Sequence, residues 1–350
     1  MSTDKAIHQH RKDEHLSLAL KQWKTGPESF SGLSFDDLRL LPRFSELAET
    51  DIDLSVSVFG NRFEFPFYIE AMTGGSERGD RLNEELAEVA SQENLSMAVG
   101  SQSIALKFPE LEAGFRRVRQ IHKDGFILAN IGAGHDLESA KKAVDMLEAN
   151  ALEIHVNTAQ ELSMKQGEGD RAFYWLDNIQ KIAEGLEVPV IVKEVGFGMS
   201  PEMLERLSET AIDGINLGGK SGTNFARIEH DRGGDFSLQD FGLTTVESLL
   251  SAKQVKADKA LVATGGIQSA EQIFKSLGSG ANLVSSAGYF LKVLMTEGQE
   301  ALAKTIQAWK ADLTKFYLLQ GAKNWEELQS QKFLYSPSAK AFIDQIKGFD

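Results

Sequence analysis

The sequence predicts an α/β fold in which eight parallel strands close into a (β/α)8 TIM barrel. Three observations predict it: eight short apolar runs recur along the chain, stretches with helical spacing separate them, and polar and glycine residues gather at the end of nearly every run. Alternating strands and helices imply parallel strands joined by right-handed crossovers, and eight strands close such a barrel. The 350 residues accommodate one barrel of about 250 residues with additions. A doubly wound sheet is the rival architecture, but no G-x-G-x-x-G opens a helix anywhere in the chain.

Residues 1–65 read as a polar N-terminal extension packing on a barrel that occupies residues 66–350, with Trp23, Phe30, Phe35 and Phe44 as aromatic anchors. Within the extension, Arg11-Lys12-Asp13-Glu14-His15 is a charged arm. Its bland reading is a solvated tail; its functional reading is an arm that folds over the barrel mouth and grips phosphate. The strand candidates follow in order: Phe67 to Ile69, Ser96 to Val99, Phe126 to Ala129, Ala151 to Val156, Val190 to Val192, Ile212 to Leu217, Ala260 to Ala263 and Asn282 to Val284. Each is too short for a helix. Between them Leu82, Leu86, Val89 and Ala90 repeat at helical spacing, as do Ala140, Val144 and Leu147. The sets Ile179, Ile182, Ala183 and Val246, Leu249, Leu250 do the same. Residues 218–243 form a long glycine-rich, charged insertion after the sixth run, expected to be a lid or a mobile segment.

Composition narrows the function. Cysteine is absent, which removes disulfides, thiolate nucleophiles and Cys-ligated metals. The 37 basic against 51 acidic side chains give a net charge of −14, which argues against a nucleic-acid surface. No apolar run approaches the roughly 20 residues that span a bilayer, and the first residues lack the apolar core of a secretion signal. The expectations are no nucleic acid, no membrane and a cytoplasmic location.

Barrel active sites lie at the C-terminal strand ends. There the chain offers Ala71-Met72-Thr73-Gly74-Gly75, Gly100-Ser101-Gln102-Ser103, Asn130, Lys193-Glu194, Gly218-Gly219-Lys220, Gly265-Gly266 and Ser286-Ala287-Gly288. Glycines after the last strands let backbone N–H groups approach a phosphate; their bland reading is a plain turn. His155 and Asn157 share strand parity, and Gln160 and Glu161 follow. Together they suit a ligand with several oxygens, Glu161 holding a Mg²⁺ that bridges phosphates. A satisfied core histidine and a helix-capping carboxylate are the bland alternatives. Lys193, inside the barrel by parity, is costly unless it faces an anion or Glu194; a Schiff-base lysine is the other reading.

Taken together and in order, four motifs resemble the type 2 isopentenyl-diphosphate isomerases, which are flavin-dependent barrels. They are Ala71-Met72-Thr73-Gly74-Gly75, His155-x-Asn157-x-x-Gln160-Glu161, Lys193-Glu194-Val195-Gly196-Phe197-Gly198, and Gly222-Thr223 followed by Phe225. The resemblance runs from Arg11 to about residue 335. It implies FMN, Mg²⁺ and a reductant such as NADPH, with isopentenyl and dimethylallyl diphosphate interconverted by a 1,3-allylic proton shift. It places FMN against Ala71, Met72, Thr73, Ser101, Asn130, Lys193, Gly218, Thr223, Gly265, Gly266, Gln268, Ser286 and Ala287. The substrate would meet Arg11, Lys12, Ser101, Ser103, His155, Asn157 and Gln160, with Glu161 on the metal.

Reduced FMN is then the expected acid and base, Gln160 positions or relays the proton, His155 assists, and Lys193 faces the negative charge of the reduced flavin. The resemblance further suggests a homotetramer or homo-octamer. The chain departs from the family's usual pattern at Ser103, Gln268 and Ala287, where many members carry basic residues, and Lys220 in the adjacent loop is the candidate for partial compensation. The rival functions are another FMN-dependent barrel oxidoreductase and a degenerate paralogue that binds flavin or diphosphate without turnover.

Overall fold

The computed structural model describes residues 3–25, 31–165, 168–234, 236, 238 and 240–348. Eight parallel strands close a barrel: β1 (Phe67–Ile69), β2 (Met97–Ala98), β3 (Ile127–Gly132), β4 (Ala151–Val156), β5 (Val190–Glu194), β6 (Gly214–Asn216), β7 (Ala260–Ala263) and β8 (Leu283–Ser286). Every expected run overlaps one strand. Those at β4 and β7 coincide with their runs end to end, and β8 returns to pair with β1.

Side chains alternate across each strand, so each strand feeds two layers. Outward-facing Ile154, Val190, Val192, Ile215, Ala263 and Val284 pack under the helices. The helices answer with the apolar stripes their spacing predicts: Leu82, Leu86, Val89 and Ala90 on Glu77–Gln92, and Val246, Leu249 and Leu250 on Thr245–Val255, are all buried. Ser76, Asp136, Ser200, Thr244 and Ser269 cap five of these helices by accepting from a backbone N–H of the first turn. Inward-facing Tyr68, Ala98, Leu128, Ile191, Val262 and Leu283 fill the barrel's lower half. A hairpin (Val56–Val58 with Asn61–Phe63) closes that end with Val56 and Phe63. One residue higher the interior turns polar.

The N-terminal segment is a helix, Thr3–Thr25. It packs against Gly288–Glu297, Glu77–Gln92 and Phe225–Asp231, across the C-terminal mouth. Leu38–Arg39 pairs antiparallel with Leu334–Tyr335, tying the extension to the end of the chain. Of the four expected anchors, Phe35 is buried and Trp23 is half-buried, while Phe44 is 96% exposed and anchors nothing. Phe30 lies outside the described residues. The insertion is not structureless, since Asn224 caps a helix, Phe225–Asp231, at its centre. Among the described residues no helix is long and apolar enough to cross a membrane.

Candidate active site

The site is built upward from a polar layer inside the barrel. Glu70, Asn130, Glu153, Lys193, Asn216, Thr264 and Ser285 are all buried there. Glu70 Oε2 accepts from Asn216 Nδ2 at 2.7 Å and Ser285 Oγ at 2.6 Å, and its Oε1 accepts from Ala71 N at 2.7 Å. Burial would push Glu70 up, but Lys193 and these donors outweigh it and hold its carboxyl low. Glu153 has fewer donors; burial and the neighbouring Glu70 charge push it up to about 8. Lys193 Nζ donates to the Glu194 main-chain oxygen at 3.3 Å. The expected pairing with the Glu194 carboxylate is absent, because that carboxylate turns outward and accepts from Phe197 N and Gly198 N at 2.6 and 3.0 Å. Lys193 instead looks across the barrel at Glu70 and Glu153, which follows from strand parity: adjacent residues cannot face the same side.

Above this floor opens a cavity of about 690 Å³, lined by Ala71, Met72, Thr73, Ser101, Ser103, Asn130, His155, Asn157, Gln160, Glu161 and Lys193. The β4 wall is an interlocked set. His155 Nδ1 lies 2.9 Å from Asn130 Oδ1, and Asn157 Nδ2 donates to Glu161 Oε1 at 2.8 Å. Gln160 Nε2 donates to Glu229 Oε1 at 3.0 Å. Burial, then the charges of Lys193, His135 and Lys12, pushes His155 down to about 3, so its ring is neutral. Glu161 also accepts from Asp170 N at 2.8 Å. Among the described residues no three His, Cys, Asp or Glu side chains gather as a metal cage. Glu161 is therefore a lone carboxylate that fits Mg²⁺ only where phosphate and water supply most of the six oxygens that ion demands.

The Thr3–Thr25 helix roofs the cavity with His8, Arg11, Lys12 and His15. Lys12 is not a free cation: its Nζ donates to Gly74 O and Ser101 O at 2.6 and 2.8 Å. Burial brings it down to about 8, against the pull of Asp80. Sequence reasoning missed four residues here. His135 Nε2 lies 2.8 Å from Ser103 Oγ, Glu70 and Glu153 form the floor, and Glu229 lies 2.8 Å from His15 Nε2 and 2.5 Å from Arg232 Nη1. Burial alone would raise Glu229, yet His15, Gln160 and Arg232 bring it down to about 2.

A smaller cavity of about 70 Å³ adjoins the first and shares Ala71, Met72, Lys193, Val195 and Phe225 with it. Gly218, Thr223, Gly265, Gly266, Ala287 and Gly288 line it, beneath Trp23, whose Nε1 donates to Thr223 Oγ1 at 3.0 Å. Gly265 and Gly266 have φ of +111° and +78°, and a Cβ on either would meet the Gly219 or Ser221 carbonyl oxygen at 2.2 or 2.3 Å. Only glycine allows these loops to interlock so closely.

Two expected contacts fall outside both cavities. The Ser286 hydroxyl turns away to the Ile267 carbonyl at 2.8 Å, since Ser285 takes the inward position. Gln268 is exposed beyond the turn, where the chain has already left the mouth. Lys220 is held by Asp240 at 2.9 Å and lines neither cavity. The donors that remain, backbone N–H groups around a small cradle next to a buried lysine and a wide polar cavity, fit FMN with its phosphate in the cradle.

Comparison with known proteins agrees with this geometry. Residues 112–335 match the FMN-dependent dehydrogenase family. An isopentenyl-diphosphate delta-isomerase of Lactococcus lactis subsp. lactis (strain IL1403) is 59% identical over 349 residues, covering 99% of this chain and 100% of that protein. The chain belongs to the isopentenyl-diphosphate delta-isomerase family. The isomerase of Latilactobacillus sakei subsp. sakei (strain 23K) is 44% identical over 344 residues, covering 97% of each chain. Among solved structures, a flavocytochrome b2 double mutant with pyruvate bound superposes with a TM-score of 0.67 at 18% identity, covering 88% of this chain and 78% of that one. A mandelate oxidase mutant with benzaldehyde gives 0.62 at 12% identity, covering 92% and 91%. These two likenesses concern the fold alone; the family assignment rests on the isomerases.

Proposed function

We propose that the chain is an enzyme that interconverts isopentenyl diphosphate and dimethylallyl diphosphate by a 1,3-allylic proton shift, with FMN as its cofactor. The observation that carries this reading is the adjoining of the glycine cradle and the His155–Glu161 wall, with Lys193 lining both cavities. FMN would be held by Gly218, Thr223, Gly265, Gly266 and Ala287 at its phosphate and by Ala71, Met72, Thr73, Ser101, Asn130 and Lys193 along the rest. When bound and reduced, FMN supplies the acid and base of the proton shift. Lys193 offers a fixed positive charge in a water-poor site, where such a charge stabilises an anion strongly. Gln160, clamped by Glu229, positions or relays the proton. Arg11, Lys12, Ser101, Ser103, His155 and Asn157 would bind the diphosphate, and Glu161 would hold a Mg²⁺ that offsets the diphosphate charge. NADPH as reductant, a homotetramer or homo-octamer and a cytoplasmic location belong to the same reading.

The test is an anaerobic assay of the full chain with isopentenyl diphosphate, FMN, NADPH and Mg²⁺. Dimethylallyl diphosphate should form without net NADPH consumption. Oxidised product with stoichiometric cofactor turnover, or bound flavin without product, would overturn the reading.

A further inference from the structure

The polar floor contains two carboxyl groups that the proposed function does not use. Glu70 and Glu153 are 1% and 0% exposed, and they share two donors on the face between them. Tyr68 Oη lies 3.2 Å from Glu70 Oε2 and 3.1 Å from Glu153 Oε1, with one hydrogen for both. Asn216 Nδ2 offers two hydrogens to three acceptors: Glu70 Oε2 at 2.7 Å, Glu153 Oε1 at 3.2 Å and Tyr68 Oη at 3.4 Å. Ser285 Oγ and Thr264 Oγ1 reach Glu70 Oε2 as well, at 2.6 and 3.3 Å, so Glu153 Oε1 is the poorer in donors, and one proton held on this face relieves the repulsion of two buried carboxylates.

The other oxygen, Glu153 Oε2, faces Asn130 Nδ2 at 3.2 Å. A proton on that side would relieve nothing, so Oε2 remains an acceptor and Asn130 must turn its NH₂ toward it. The opposite end of the same amide, Oδ1, then faces His155 Nδ1 at 2.9 Å. An amide oxygen only accepts, so Nδ1 must carry hydrogen. We propose that Glu153 is a positioning residue for His155: through the Asn130 amide it places the ring proton on Nδ1 and leaves Nε2 bare. The ionisable groups facing this relay are Glu70, Tyr68 and Lys193 around Glu153, and Lys193, His135 and Lys12 around His155. Burial first, then Lys193, His135 and Lys12, keeps a second proton off the imidazole. A bare Nε2 accepts rather than donates. On the reading that His155 meets the diphosphate, it selects a ligand that brings hydrogen with it, a protonated phosphate oxygen or a metal-bound water.

Long-range ¹H–¹⁵N correlation spectra of the ligand-free full chain, labelled at histidine, read the tautomer directly. His155 should show a protonated Nδ1 and an unprotonated Nε2 between about pH 6 and about pH 8. In Glu153→Gln the amide NH₂ takes the place of the shared proton and its oxygen still faces Asn130, so the same tautomer should persist. In Glu153→Leu the acceptor is gone, Asn130 is free to turn over, and the Nε2-protonated form should appear. A wild-type spectrum with the proton on Nε2 overturns the proposal without any variant. So does an unchanged tautomer in Glu153→Leu, or its loss in Glu153→Gln. Because no substrate is present, a chain that failed to isomerise isopentenyl diphosphate would still give this answer.

Discussion

Glu229 carries more of the site than any motif residue. Its two oxygens reach His15, Gln160 and Arg232, and the side chain is fully buried. Among the described residues, removing its charge leaves Arg232, itself 5% exposed, with Glu14 and Glu168, at 3.1 and 3.3 Å. Because those two remain, Glu229→Gln should cost about 1–3 kcal/mol, the range for a broken charged hydrogen bond, visible as a lower urea midpoint. Gln160 would lose its fixed orientation, so turnover should fall by more than KM rises. A variant with both stability and turnover unchanged would show that Gln160 is oriented by something else.

At the scale of elements, the N-terminal helix is an added roof whose grip is legible side chain by side chain. Leu16 and Ala19 are its buried apolar contacts, and Lys12, Gln22 and Trp23 bond to loops of the barrel mouth. Leu16→Ala should weaken that docking by about 2 kcal/mol, or roughly thirtyfold in the opening equilibrium. Amide exchange in residues 3–25 should speed by that factor while the barrel strands keep their protection. Uniform acceleration across the chain would mean the helix is part of the global folding unit.

The same helix marks a limit of what sequence reveals. Barrel strands and helical stripes were legible because their periodicity is dictated by a core. The arm at 11–15 was read as charged chain because a helix roofing a polar cavity has little apolar stripe to display. Glu153 was passed over for the opposite reason. It lies inside the apolar run Ala151 to Val156, where only its shared parity with His155 signals that it faces inward. Glu70 directly follows β1, before the Ala71 to Gly75 motif, and Glu229 lies in an insertion whose glycines suggest a lid. The motifs do not show that the Ser286 hydroxyl turns to the Ile267 carbonyl, a matter of strand parity, or that Gln268 stands exposed beyond the turn.

For the whole molecule, the buried acids dictate how stability follows pH. Burial, reinforced by Glu70, raises Glu153 to about 8, and burial raises Glu194 to about 8 against the donors Phe197 N and Gly198 N. Between the ordinary glutamate value of 4.5 and about 8 the folded chain holds more protons on these groups than the unfolded chain does, so stability falls as pH rises. Glu229 works the other way: lowered to about 2, it contributes stability above 4.5 that is lost as pH falls toward 2. His155, lowered from 6.5 to about 3, also adds stability as pH rises through that interval. The opposing groups overlap below 6.5, and Lys12, lowered to about 8, joins them only near that value, so between 6.5 and 8 the two raised glutamates dominate, and the net charge of −14 acts in the same direction. Urea midpoints of the ligand-free chain should therefore drop from pH 6.5 to pH 8, and Glu153→Gln, which cannot ionise, should remove part of that drop. A flat or rising midpoint over this interval would mean that Glu153 and Glu194 are already ionised in the folded barrel, and the shared proton beneath Lys193 would have no support.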